Sequence, residues 1–226
     1  MNKKVKLTIS LILIGAVAAG GGTLAAFQAA TSTTEKVSTT ELGIDIVQKA
    51  DTGKKTQVLS DEDGFEGVTY TGMPGDVVDE KIYVENVKSQ PCYVRVTINR
   101  CWLNAQGERD RSVPGDDRYI DPREIDILRD NDDWLVLDGD EEYGEVIYCY
   151  YKRPLEAGAS TANVMDQFSI LKESVAENGN KYVGYGSRIT FDADAIQTIA
   201  AQDAMLAEWG IIAEMEDGVI TGIREQ

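Results

Sequence analysis

The side chains best suited to chemistry in this chain are three cysteines, at positions 92, 101 and 149, and several clusters of carboxylates. On a single strand Cys92 and Cys101 would stand about 30 Å apart, at about 3.3 Å per residue, and would point to opposite faces. They cannot pair there. Cys149 could meet either one across neighbouring strands, so at most one intrachain disulfide can form, and buried free thiols are the plainer expectation. No Cys-x-x-Cys suggests metal or redox work. The acidic runs Asp116-Asp117, Asp130-Asn131-Asp132-Asp133 and Asp138-Gly139-Asp140-Glu141-Glu142 offer hard oxygen ligands of the kind calcium takes. Weak calcium candidates are therefore Asp130, Asp132, Asp133, Asp138, Asp140 and Glu142. No run has the glycine that an EF-hand loop needs at its sixth position, and solvated acidic loops explain the same residues more simply. Nothing in the sequence sets two carboxylates at the separation glycoside hydrolysis requires. Tyr143, Tyr148, Tyr150 and Tyr151 could form a sugar-stacking platform. Alternation sends Tyr148 and Tyr150 to one face and Tyr151 to the other, which favours packing.

The chain contains no histidine. That removes His-based zinc sites, Ser-His-Asp and Cys-His nucleophiles, and the usual acid-base catalyst near neutral pH. No catalytic residue is assigned, and no cofactor is expected beyond structural calcium. With 39 acidic against 22 basic residues in 226, the formal charge is -17, which argues against nucleic acid and anionic lipid as partners. A hydrophobic content of 42% is ample for a buried core.

These residues sit in three unequal regions. Residues 1–26 carry Lys3, Lys4 and Lys6, an apolar run from Leu7 to Ala19, and a small-residue stretch ending at Ala25 and Ala26. This is a secretory signal layout, and the run is shorter than the roughly 20 residues a spanning helix needs. Cleavage is expected between Ala26 and Phe27, with the positions after Ala29 or Ala30 as alternatives; no stable membrane anchor would then remain. Residues 27–42 are rich in Ser and Thr and poor in large apolar groups, as a flexible N-terminal segment is. The same threonines suit an extended strand added to a partner's sheet. Phe27, Thr31, Thr33, Val37 and Thr39 are the candidate positions of that donor strand.

Residues 43–226 read as one all-β domain, an antiparallel sandwich with one or two short accessory helices. Val77 to Val87 alternates after a Met73–Asp76 turn, with Ile82 and Val84 on one face. In the clearest strand, Cys92, Val94, Val96 and Ile98 form a core face, and Tyr93, Arg95, Thr97 and Asn99 form a wet one. Residues 104–133 interrupt the pattern as a charged insertion, within which Asp121-Pro122-Arg123-Glu124 predicts a helix through about Leu128. Strands are expected again at 134–137, 145–152, 168–171 and 188–195, with a tight connection at Asn178-Gly179-Asn180. The Ala-rich stretch after Ile196 predicts a helix stopped at Gly210, and Asp217-Gly218 predicts a closing hairpin.

The segment GGTLAAF, Gly21 to Phe27, resembles the signal-peptide end of the TasA/camelysin/CotN family, exported by Gram-positive bacteria through a SipW-type signal peptidase. The run PGDVVDEKIYVENVKSQPCYVRVTINRCW, Pro74 to Trp102, is similar to that family's Pro-Gly-Asp turn and two following strands. IYCYYKRPLEAGAST, Ile147 to Thr161, and ITFDADAIQ, Ile189 to Gln197, resemble its aromatic strand and its closing strand before a Trp-containing helix. The resemblance implies a jelly-roll-like sandwich, secreted to the extracellular matrix or cell surface, that self-associates or joins related matrix subunits into biofilm fibres by N-terminal strand addition. It also brings two alternatives, a camelysin-like secreted metallopeptidase and a non-polymerising adhesin or carbohydrate-binding module. The insertion, the cysteines and the hairpin-like tail have no counterpart in the fibre-forming pattern. A zinc peptidase would lack its usual histidine ligands here.

Overall fold

A computed structural model describes residues 6–9, 42–50, 57–60, 66–70, 77–117, 119–170 and 185–225. In chain order the strands are β1 Lys6–Ile9, β2 Ile44–Ala50, β3 Gln57–Ser60, β4 Glu66–Tyr70, β5 Val77–Asn86 and β6 Cys92–Leu103. They continue with β7 Ile125–Leu128, β8 Trp134–Asp138, β9 Val146–Tyr151, β10 Met165–Ile170 and β11 Gly186–Gln197. A short helix α1, Ala201–Ala204, runs into a π-helical turn at Met205–Trp209, and β12 Ile211–Glu216 and β13 Val219–Glu225 end the chain.

Period-two burial is what builds the sandwich. Along β6 the even positions from Cys92 to Trp102 are buried, and Val94, Val96 and Ile98 are wholly inaccessible. On β5 the buried row is Val78, Ile82 and Val84. These two rows meet in one core, because β5 lies in a five-stranded sheet, β1-β2-β5-β10-β7, and β6 in a six-stranded one, β3-β4-β11-β6-β9-β8. Every strand pair is antiparallel. The longest ladder joins β6 to β11 from Cys92↔Gln197 to Leu103↔Gly186. The fold is the expected all-β sandwich.

Two expectations are corrected. The helix predicted through Leu128 is only a 3-10 turn at Pro122–Glu124. Asp121 caps it as anticipated, its Oδ1 accepting from the Arg123 N–H at 2.9 Å. From Ile125 the chain instead joins β10 as an edge strand, since Ile125 and Ile127 alternate towards the core and the ladder satisfies their backbone. The insertion thus returns to the sheet before residue 133.

The second correction concerns the wet face of β6. Tyr93 on that face is 3% exposed. The C-terminal segment folds across it, and Tyr93, Tyr150 and Ile196 form a second core with Ala201, Met205, Trp209, Ile211, Ala213 and Ile220. Gly210, at φ 68°, ends the helical turns where expected. Asp217 and Gly218, at φ 48° and 79°, make the hairpin turn. Tyr93 donates its hydroxyl to the Gly218 carbonyl at 2.7 Å, and the Ile220 N–H donates to the Lys152 carbonyl at 2.7 Å.

Candidate functional site

The acidic loops hold the metal-ligand candidates. Asp130 is exposed, and its N–H donates to Asp166 Oδ2 at 2.8 Å. The other oxygen of Asp166 accepts from Asn163 Nδ2 at 2.6 Å. Asp132 is exposed, with its carbonyl accepting from Lys152 Nζ. Asp133 pairs with Arg153. Asp138 ends β8 opposite Ile147. Asp140 folds the next turn on itself: Oδ1 accepts from the Tyr143 N–H at 3.0 Å, and its carbonyl accepts from the Gly144 N–H at 2.7 Å. Glu142 is exposed beside Tyr143, and its charge chiefly pushes the Tyr143 phenol up. Among the described residues no three Cys, Asp or Glu side chains converge as a metal site would need.

The tyrosines are divided as alternation implied. Tyr151 packs in the core against Trp134, with ring centroids 5.1 Å apart. Tyr150 lies under Trp209 at 5.7 Å. Tyr148 shares its face, but Arg95 sits over its ring at 5.2 Å. Gly139 crowds the ring from the side, where a Cβ would stand 2.5 Å from one of its carbons. Arg95 also lies 5.4 Å from the Trp209 ring and pairs with Asp194 at 2.7 Å. These rings bind the C-terminal cap to the sheet. They do not line up as a free platform.

All three cysteines are free. Cys149 stands opposite Val96, Cys101 opposite Arg188, and Cys92 opposite Gln197, so no ladder brings two together. Burial pushes the Cys92 and Cys149 thiols up to about 11, with Arg129 pulling Cys149 the other way. Cys101 is half-buried; burial raises its thiol, while Arg109 and Arg188 pull it the other way.

Two arginines went unnoticed in the sequence. Arg100 is 8% exposed; its Nε donates to the Gly144 carbonyl at 2.8 Å and its Nη1 to the Ile125 carbonyl at 3.0 Å. It ties the acidic turn and β7 to the six-stranded sheet. Arg129 donates Nε to the Val164 carbonyl at 3.1 Å, beside the Cys149 sulfur. The even-position rule that places Val94 and Ile98 inside also places Arg100 inside, which was the signal available.

The remaining candidate is the sheet edge. Among the described residues the five-stranded sheet ends at β1 and β7, the six-stranded sheet at β3 and β8, and neither closes on itself. Edges of this kind present backbone groups to any incoming strand. The candidate donor positions Phe27, Thr31, Thr33, Val37 and Thr39, with the junction Ala26–Phe27, lie outside the described residues, as do the turns at 73–76 and 178–180.

Fold and site together define an antiparallel two-sheet β-sandwich with a helix-and-hairpin cap on the outer face of its larger sheet. Set against protein-family models, curated proteins and solved structures, the chain matches none.

Proposed function

We propose that this chain is an exported structural subunit, secreted to the extracellular matrix or cell surface, that assembles into fibres by adding its N-terminal segment as a strand to the sandwich of another copy or of a related subunit. The observation carrying this reading is that, among the described residues, both sheets end in edge strands, whose outer sides carry backbone donors and acceptors an added strand can meet. The secretory layout of residues 1–26 and the extended-strand composition of 27–42 supply the route outward and the donor. A SipW-type signal peptidase would remove the leader. The contact is head-to-tail and does not close, so it propagates.

Negative-stain electron microscopy of the chain from Phe27, beside one beginning at Gly43, tests the reading. Filaments from the longer chain alone are expected. Monomers from both would sink autonomous assembly and move the reading towards an adhesin.

A further inference from the structure

Strand addition needs a particular edge, and the backbone of β2 identifies one. In an antiparallel strand, successive residues direct both N–H and C=O to alternate sides. Asn86, opposite Ile44, donates its N–H to Ala159 and accepts from the Gly158 N–H, so its polar groups face away from β2. Val84, opposite Ile46, accepts from the Thr161 N–H and donates to Thr161 Oγ1 at 3.0 Å. Ile82, opposite Gln48, accepts from the Val164 N–H. On the other phase, the Gly43 carbonyl accepts from the Val87 N–H. Ile44, Ile46 and Gln48 therefore direct their backbone groups away from β5, towards the outer side of β2.

The strand on that side is β1, with Leu7 opposite Ile46 and Ile9 opposite Ile44. The alternation makes those two the hydrogen-bonding pairs. Lys6–Ile9 falls inside the leader that export is proposed to remove. Once it is gone, no other described strand faces the backbone groups of Ile44 and Ile46, while the side chains of both are buried in the core at 4% and 8% exposure. Positions opposite them in any new strand lie on the core face of the sheet.

We infer that the outer edge of β2, at Ile44, Ile46 and Gln48, is the acceptor for the N-terminal strand of a second copy, and that Lys6–Ile9 covers its Ile44–Val47 part until the leader is cleaved. This rests on the strand-addition reading. Cleavage then does two things at once: it frees the donor beginning at Phe27, and it uncovers the acceptor. Assembly is held off in the uncleaved chain without a separate inhibitor. The chain from Phe27 keeps every described residue of both cores, all of which lie at or after Leu42.

Residue-resolved hydrogen exchange on the wild-type chain 1–226, on the chain from Phe27 held monomeric by dilution, and on its filaments tests the inference. The Ile44 and Ile46 amides should be slow in the first, at least about tenfold faster in the second, and slow again in the third. Gln48→Pro adds a second readout. It removes an N–H that faces the outer side and leaves the β2–β5 ladder intact, so the monomer should melt as wild type while filament yield falls about tenfold or more. Gln48→Val should assemble normally. Equal exchange in full-length and monomeric chains would overturn the inference, whether because β1 does not cover the edge or because a chain's own N-terminus folds back on it. Filaments in which these amides still exchange, or that Gln48→Pro forms normally, would place the acceptor elsewhere and leave strand addition standing. Absence of filaments from the wild-type chain beginning at Phe27 would end both readings.

Discussion

Arg100 shows how much a single residue holds when it is charged and placed inside. Its two bonds reach the Gly144 and Ile125 carbonyls, which belong to separate stretches of chain. Burial lowers its pKa while Asp138 and Asp121 raise it, so the surrounding acids offset part of the desolvation that the ladder position imposes. Arg100→Met should cost about 2–4 kcal/mol, because two buried carbonyls lose a charged donor. Arg100→Lys should recover little of it, since an ammonium cannot span both acceptors as the guanidinium fork does. Urea unfolding checks both, with an unchanged slope expected. The thiols give a prediction in pH. Cys92 and Cys149 rise from 9.0 to about 11 on folding, so their thiolates are favoured in the unfolded chain. Their contribution to stability is complete below about pH 9 and is lost as pH climbs towards 11. The melting temperature should therefore fall across that window, and fall less in the Cys92→Ala, Cys149→Ala double variant. An identical alkaline loss in the two proteins would assign the effect to tyrosines instead. In thiol-reagent titration at pH 8, Cys101 should react alone in the folded protein, being the half-buried one.

At the scale of elements, the C-terminal cap is the piece whose attachment can be read most directly. Trp209 is its anchor: it covers Tyr150, lies against Arg95, and is 8% exposed. Trp209→Ala should cost about 3–5 kcal/mol and loosen the cap before the sandwich. Limited proteolysis should then cut near the exposed Ile199 and Ala200, with the ladder from β6 to β11 still protected. Wild-type resistance at that site would mean the hairpin holds by itself, through Tyr93 and the Lys152 carbonyl. Most strands were legible in the sequence because apolar residues recur at alternate positions on one face, as on β5 and β6, and because Gly210 and the Asp217-Gly218 pair punctuate the tail. The helix expected after Asp121 was lost to a competing rule. Its cap and proline are real, but Ile125 and Ile127 gain more by filling the open edge of β10 than a single further helical turn would give them. The outer face of β6 was misread for a different reason. Tyr93 on a polar-looking row is ambiguous alone, and what buries it lies more than a hundred residues away, at Gly218. Arg100 and Arg129 were missed because an isolated charge in a sequence says nothing of which carbonyl it will meet. Nor could the direction of the β2 backbone be seen before its neighbours on β5 were known to be bonded elsewhere.

For the whole molecule, the charge of -17 would set the terms on which copies meet in the proposed assembly. Under the proposed export, removal of the leader would take Lys3, Lys4 and Lys6 with it and no acid, so the exported chain would be more negative than its precursor. Two such bodies repel, and the repulsion between exposed charges shrinks as the Debye length falls from about 10 Å at 0.1 M salt to about 3 Å at 1 M. The bonds that strand addition makes are between backbone amides and carbonyls, which carry no net charge and respond weakly to ionic strength. Salt should therefore change the approach of subunits and leave the join itself alone. Filament growth followed by light scattering should accelerate steadily from about 10 mM to about 500 mM sodium chloride, by roughly tenfold. Calcium chloride matched in ionic strength should act similarly if it serves only as a screen, and a specific calcium effect would show as growth beyond the matched sodium curve together with a higher melting temperature. Growth that slows as salt rises would reverse the argument. It would mean that opposite charges on facing subunits drive the encounter, and the arginines not already bound to a neighbouring carboxylate would become the residues to examine before any sheet edge.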